Sequence, residues 1–270
     1  MSVQPAASPP FAGAVVTGGG SGIGRALVRE LLARGVPVLA AALREEELAA
    51  LRDEVDGPLA TCAVDLTHEG AVDELLAASE RAGVEVDLLV NCAGVGLFGE
   101  HVDLDRGAVR RMIAVNAAAL ADLCGVVGAR MRARGRGTIL NVASTASFQP
   151  LPRLAAYAAT KHFVAALSEA LAQELAPYGV RVSVLHPGTT RTPFIAGAGI
   201  VAAPGVQGVA RLVERVAMEP ADVAAAAIAG LLRGDRRIVP GLGNRVHDLL
   251  RRVVPGAVLA RVFARASRPR

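Results

Sequence analysis

The strongest constraint on this chain is a rhythm. Short apolar runs near 13–17, 36–42, 59–64, 86–91, 137–143, 180–186 and 236–239 alternate with segments of helical period. Several runs are continuously apolar, as expected of parallel strands covered on both faces. Helical patterns occupy 22–34, 45–54, 70–82, 107–133 and 155–176. The last carries Val164, Leu167, Leu171 and Leu175 on one face. This alternation predicts an α/β fold, a single doubly wound parallel sheet with helices on both faces. Right-handed crossovers bring the helix N-termini to the carboxyl edge of such a sheet, where ligands bind. A length of 270 residues suits one domain. Half the residues are apolar but only 3% are aromatic and none is Trp, so Ala, Val and Leu must fill the core.

The run 13–17 leads into Thr17-Gly18-Gly19-Gly20-Ser21-Gly22-Ile23-Gly24 and then a helix. Glycines permit a tight turn and close approach of a pyrophosphate to the backbone, and the helix N-terminus offers free N–H groups. The order is G-x-x-x-G-x-G, not the commoner G-x-G-x-x-G. Asn91-Cys92-Ala93-Gly94 follows the fourth strand, and Asp65-Leu66 ends the third.

A second group of residues suits acid–base chemistry. Tyr157 and Lys161 stand one helical turn apart on one face. A tyrosine near its reference pKa of about 10 transfers protons poorly at neutral pH, and a neighbouring ammonium favours the phenolate. Lys161 is the one lysine beside 28 arginines. A compact, rotatable ammonium was therefore chosen where a guanidinium fork would not serve. Ser144 lies 13 residues before Tyr157, just past a strand, with Thr145 and Ser147 close by. Asn116 sits within a helix, where asparagine is unfavourable without a reason. Pro187-Gly188-Thr189-Thr190-Arg191-Thr192 follows the sixth strand, behind His186, which reads as structural.

In order and separation these segments resemble the short-chain dehydrogenase/reductase family, with its T-G-x-x-x-G-x-G and Y-x-x-x-K patterns. The likeness covers roughly residues 13–240. Cys92 replaces the second asparagine of the family's N-N-A-G and is expected to pack internally; Thr190 replaces the valine of P-G-x-V-x-T. The resemblance implies a Rossmann-type domain over 13–244 and hydride transfer between a nicotinamide and a secondary alcohol or ketone. It implies Tyr157 as proton donor and acceptor, Lys161 lowering its pKa and holding the ribose, and Ser144 positioning the substrate oxygen. Asn116 would support a proton path to the lysine. Cofactor contacts would come from Thr17, Gly18, Ser21, Gly22, Ile23, Gly24, Asp65, Leu66, Asn91, Ala93, Gly94, Tyr157, Lys161, Pro187, Gly188, Thr190 and Thr192. Family members pair through two long helices, here 107–133 and 155–176, which implies a homodimer or homotetramer.

NAD-preferring members carry an acid at the end of the second strand, for the ribose 2′-OH. That position is Ala42, while Arg44 nearby could meet a 2′-phosphate, so NADP(H) is favoured over NAD(H); a solvated helix-start charge is the plainer reading of Arg44. Segment 188–218 is expected to form a substrate lid. With the loop 95–100 it supplies small or apolar residues, including Val95, Leu97, Phe98, Phe194, Ile195, Ile200 and Val201, which suits a hydrophobic alcohol or carbonyl substrate.

Charge and cysteine bound the setting. Residues 245–270 hold seven Arg and one Asp, leaving 22 basic and 24 acidic residues elsewhere, so nothing in the body suggests a nucleic-acid partner. Three cysteines without C-x-x-C, no signal peptide, and residues 1–12 as a loose tail predict a reducing, cytoplasmic setting. The five histidines lack metal-ligand spacing, so no metal is expected. The basic extension 245–270 carries apolar stripes, first Val246, Leu249, Leu250 and Val253, then Leu259, Val262, Phe263 and Ala266. It can pack on the protein or a sister subunit, lie on an anionic membrane surface, or stay unfolded. A non-catalytic NADP-binding sensor and a membrane-surface reductase of lipid-like substrates remain as alternatives to the soluble reductase.

Overall fold

The computed structural model describes residues 9–199, 217–250 and 254. Among these, the strands β1 (Ala14–Thr17), β2 (Val38–Ala42), β3 (Leu59–Ala63), β4 (Leu88–Asn91), β5 (Gly137–Val142), β6 (Val180–Leu185) and β7 (Arg237–Ile238) form one sheet in the order β3-β2-β1-β4-β5-β6-β7. All pairings are parallel. Thr17 at the end of β1 is in register with Ala41 on one side and Asn91 on the other. The strand order reverses between β1 and β4, which opens a crevice at their carboxyl ends. The fold is of Rossmann type.

Each sheet face carries its own core. On one, α1 (Gly22–Leu32) and α8 (Pro220–Arg233) bury Leu27, Leu31, Val223, Ile228 and Leu231 against Val16, Val38 and Val90. Burying each such leucine contributes roughly 1.5–3 kcal/mol. On the other, α3 (Ala71–Arg81), α5 (Ala119–Arg134) and α6 (Ala155–Glu174) bury Leu75, Leu123, Val127, Met131 and Val164 against Val15, Leu89 and Ile139. The short α2 (Glu45–Arg52) follows β2 and buries Leu48 and Leu51 in the first core.

The pattern read as one helix over 107–133 is more finely divided. α4 (Arg106–Ile113), opened by the Asp105 carboxylate accepting from Ala108 N at 2.7 Å, runs into a π-turn over Ala114–Ala118 and then into α5. The continuous helical stretch Arg106–Arg134 is long and apolar enough to cross a membrane, but Leu120, Leu123, Cys124, Val127 and Met131 within it are buried in the second core. Tyr178 is half exposed, with the Arg132 guanidinium 5.6 Å from its ring centre.

Helices α7 (Pro193–Gly197) and α8 and the start of α9 (Leu242–Leu250) are absent from the reading of the sequence. α9 turns its polar side inward. Asp248 is 8% exposed and receives two bonds from Arg237, Nη2 at 2.7 Å and Nε at 3.3 Å. Val246, Leu249 and Leu250 of the first apolar stripe are exposed on this chain, on the side away from Asp248. Val253, the second stripe and residues 200–216 of the lid lie outside the described residues.

Candidate active site

The phosphate loop is shaped by contacts that only glycine allows. Gly18 has φ +67°, and a Cβ there would stand 2.9 Å from the Ala93 backbone. A Cβ on Gly24 would stand 2.1 Å from the Gly18 carbonyl oxygen. The β1–α1 turn is thereby pressed onto the segment after β4 and onto its own helix. Thr17 stitches the same place: its Oγ1 accepts from Cys92 N at 3.1 Å and Ala93 N at 3.2 Å. Ser21, the N-cap of α1, makes no side-chain capping bond, so the first-turn N–H groups are left for an anion. These features fit a dinucleotide pyrophosphate.

A cleft of about 470 Å³ runs from this loop across the sheet edge. Of the residues expected at the site, Gly18, Ser21, Gly22, Ile23, Gly24, Ala93, Gly94, Ser144, Tyr157, Lys161, Pro187, Gly188, Thr190 and Thr192 all line it. Cys92 lines it too, beyond its expected internal packing, while also resting on the core. Burial pushes its thiol up to about 11, with Lys161 pulling the other way.

Three expected contact residues stand behind the wall. Thr17 is 1% exposed and serves the stitch just described. Asn91 Nδ2 donates to Asn141 Oδ1 at 2.8 Å, and Asn141 Nδ2 donates to Ser168 Oγ at 2.9 Å, a polar chain inside the sheet. Asn116 binds Val95 reciprocally, accepting from its N–H and donating to its carbonyl, both at 2.9 Å, and donates to Thr160 Oγ1 at 3.1 Å. It thus holds the loop after Gly94, and the π-turn that carries it relieves the misfit of an asparagine in a helix.

Three more lie toward the far end of the crevice. Arg44 is exposed and ion-paired with Glu47, which raises its pKa. The Glu47 side chain reaches the phosphate loop: a Cβ on Gly20 would stand 2.8 Å from Glu47 Cβ. Asp65 Oδ1 accepts from Thr67 N at 2.9 Å and Thr67 Oγ1 at 2.7 Å, bonds that hold its carboxyl below the usual range. Leu66 packs on the second core.

At the reacting end, α6 carries Tyr157 and Lys161 on its inner face, both buried. Lys161 Nζ donates to the Val142 carbonyl at 2.9 Å. Burial pushes the Tyr157 phenol up to about 12, while a hydrogen bond from Ser144 pulls it down. Burial lowers the Lys161 ammonium to about 8. Desolvation is thus the largest influence on each of the two groups. Ser144 is the serine beside Tyr157. Ser147 instead donates to the Ser144 carbonyl at 2.6 Å and meets His186 Nδ1 at 3.0 Å, so His186 and Ser147 brace the serine's loop. Tyr157 also packs against Phe194 of α7, ring centres 5.4 Å apart.

Several wall residues escaped the reading of the sequence, among them Leu151, Leu154, Gln149 and His247. Gln149 belongs to no motif, and its one signal was a polar side chain between Phe148 and Pro150, shortly after Ser144. His247 of α9 lies about a hundred positions further on and had no local signal.

This fold and cleft are those of a nucleotide-binding oxidoreductase, and the comparisons agree. The short chain dehydrogenase family matches residues 12–199, and the chain belongs to it. It is 34% identical over 199 residues to the glycine betaine reductase of Emericella nidulans, a match covering 72% of this chain but 16% of that protein. Among solved structures, a short-chain dehydrogenase from Sphingobium yanoikuyae in complex with NADPH superposes with a TM-score of 0.76 at 29% identity, over 92% of this chain and 96% of that one. A short chain dehydrogenase/reductase from Burkholderia phymatum in complex with NAD gives 0.74 at 28% identity, over 85% and 89%.

Proposed function

We propose that this protein reduces hydrophobic ketones to secondary alcohols with NADPH in preference to NADH. The observation that carries the reading is the convergence of Ser144, Tyr157 and Lys161 in one cleft with the glycine loop. When bound, the nicotinamide supplies the hydride to the carbonyl carbon. Ser144 holds the carbonyl oxygen, and Tyr157 gives its phenolic proton to that oxygen as the new alcohol forms. The phenol, pushed up to about 12, is fully protonated at neutral pH, which suits the reducing direction. Lys161 keeps a positive charge below about pH 8 and stabilises the phenolate left behind. Asn116 is a positioning residue that fixes the 94–95 loop beside Lys161: a Cβ on Gly94 would stand 3.3 Å from Asn116 Oδ1 and 3.5 Å from Lys161 Nζ.

The test is oxidation of NADPH and NADH against a broad carbonyl panel, with Tyr157→Phe as control. Turnover that falls at least a thousandfold in the variant, with cofactor binding retained, supports the reading. NADPH binding without turnover of any carbonyl would favour a sensor.

A cytoplasmic setting is supported by the three free thiols Cys62, Cys92 and Cys124. Association of two or four copies is supported by family membership. The outward apolar residues Leu242, Val246 and Leu249, next to a basic extension, favour a surface contact for α9. Liposome co-sedimentation with and without residues 245–270 separates a membrane contact from one with protein: equal behaviour of both removes the membrane.

A further inference from the structure

Phe98, Leu151, Leu154, Phe194 and Ile195 make an apolar stretch of the cleft wall, and Gln149 and His247 line the same cleft. Gln149 ends the 3-10 turn Thr145–Phe148 that begins at Ser144, so one short segment carries both the catalytic serine and the amide. It is 9% exposed, and its Oε1 is fully buried with no hydrogen-bond partner among the described residues. No step proposed above uses it. A buried amide oxygen left unpaired is unfavourable, and such atoms are rare in folded proteins unless something else completes them.

His247 reaches the same cleft from α9. Its ring packs edge-on against Phe148, the chain neighbour of Gln149, with centres 5.4 Å apart. Arg237 lies over the same Phe148 ring, 5.1 Å from its centre, and holds Asp248, the chain neighbour of His247 on α9. The His247 ring is thus held by a packed cluster one residue away from Gln149.

We propose that Gln149 reads a second polar group on the substrate, separate from the reacting carbonyl, and that this group is a hydroxyl. The inference rests on the reductase reading and narrows its substrate to a hydroxyketone whose two oxygens are joined by an apolar spacer. An amide offers both a C=O and an N–H, and a hydroxyl can answer either one. A carboxylate fits less well, because no arginine lines the cleft among the described residues and Lys161 is committed to the reacting end.

The test compares two homologous series, straight-chain methyl ketones and their ω-hydroxy counterparts, in wild type, Gln149→Leu and Gln149→Met. Wild type is expected to favour the hydroxylated member at one spacer length by about tenfold in kcat/KM, mostly through KM. Both variants should lose that preference, keep plain ketones within about twofold, and keep their affinity for NADPH. A wild type with no preference at any length overturns the inference, as does a preference that survives in both variants, or an equal loss of both series in both variants. A wild type that turns over neither series but does reduce another carbonyl overturns the inference alone, as do the preceding results, whereas absence of turnover of any carbonyl overturns the reductase reading with it.

Discussion

The ammonium of Lys161 lies 5.9 Å from the centre of the Tyr157 ring, one helical turn away, and neither group reaches water freely. Their burial gives the pair opposite pH signatures. Lys161 falls from 10.5 to about 8 on folding, so between those values the unfolded chain binds more protons and stability rises with pH. Tyr157 rises from 10.0 to about 12, so its contribution is complete below 10 and is lost above it. Wild type should gain about 3 kcal/mol relative to Lys161→Met between pH 8 and 10.5. Urea unfolding followed by circular dichroism reads this, since the chain has no Trp. Parallel curves for the two proteins would show that Lys161 is not desolvated. In the same pH range ketone reduction by wild type should decline above about pH 8 as the ammonium is lost.

Cofactor choice turns on another pair. Arg44 is the cation nearest the end of β2, and Glu47 competes for it while reaching the phosphate loop. Arg44→Ala should raise the KM for NADPH about tenfold and leave NADH within twofold, as expected for one charge-assisted phosphate contact. Glu47→Gln should act in reverse and tighten NADPH by releasing the guanidinium. Equal effects of Arg44→Ala on both cofactors would remove it from the 2′-phosphate.

Asn116 makes three hydrogen bonds from a 1% exposed side chain. Asn116→Leu removes both bonds to the Val95 backbone, at a cost of about 0.5–1.5 kcal/mol for each bond. The melting temperature should fall by roughly 2–4 °C per kcal/mol lost. If the asparagine positions the 94–95 loop, kcat falls with it while NADPH still binds. A variant with unchanged melting and lowered kcat would instead place Asn116 in proton transfer itself.

The sequence made the sheet legible because each strand is a local apolar run, and it made Tyr157 and Lys161 legible because one helical turn relates them. It did not distinguish a residue that touches a ligand from one that holds the loop that does. Thr17, Asn91 and Asn116 fall on motif positions, yet all three bond protein groups behind the wall. Their chemistry is long-range, across 75, 50 and 21 positions, and leaves no mark within any one window. Gln149 and His247 were illegible for the same reason. The apolar stripe of α9 was legible, but the docking of its polar face was not, because Arg237 on β7 lies 11 positions before Asp248 and in no motif.

That docking can be tested directly. Arg237 receives Asp248 through two nitrogens, also bonds Glu169 Oε1 at 3.0 Å, and lies over Phe148. The side chains of the pair are 21% and 11% exposed, so water screens them little. Removing one partner of such a pair costs about 3–5 kcal/mol when burial is complete, and this one belongs near the lower end. Much of that cost should appear as release of α9 rather than global unfolding, because the helix is terminal to the sheet and its other face is solvated. Asp248→Ala should therefore speed amide exchange across 242–250 by tenfold or more while the central strands stay protected. Because His247 travels with the helix, KM for ketones should rise several-fold and NADPH affinity should hold. Unchanged exchange in α9 would mean that contacts other than this ion pair seat the helix on the cleft.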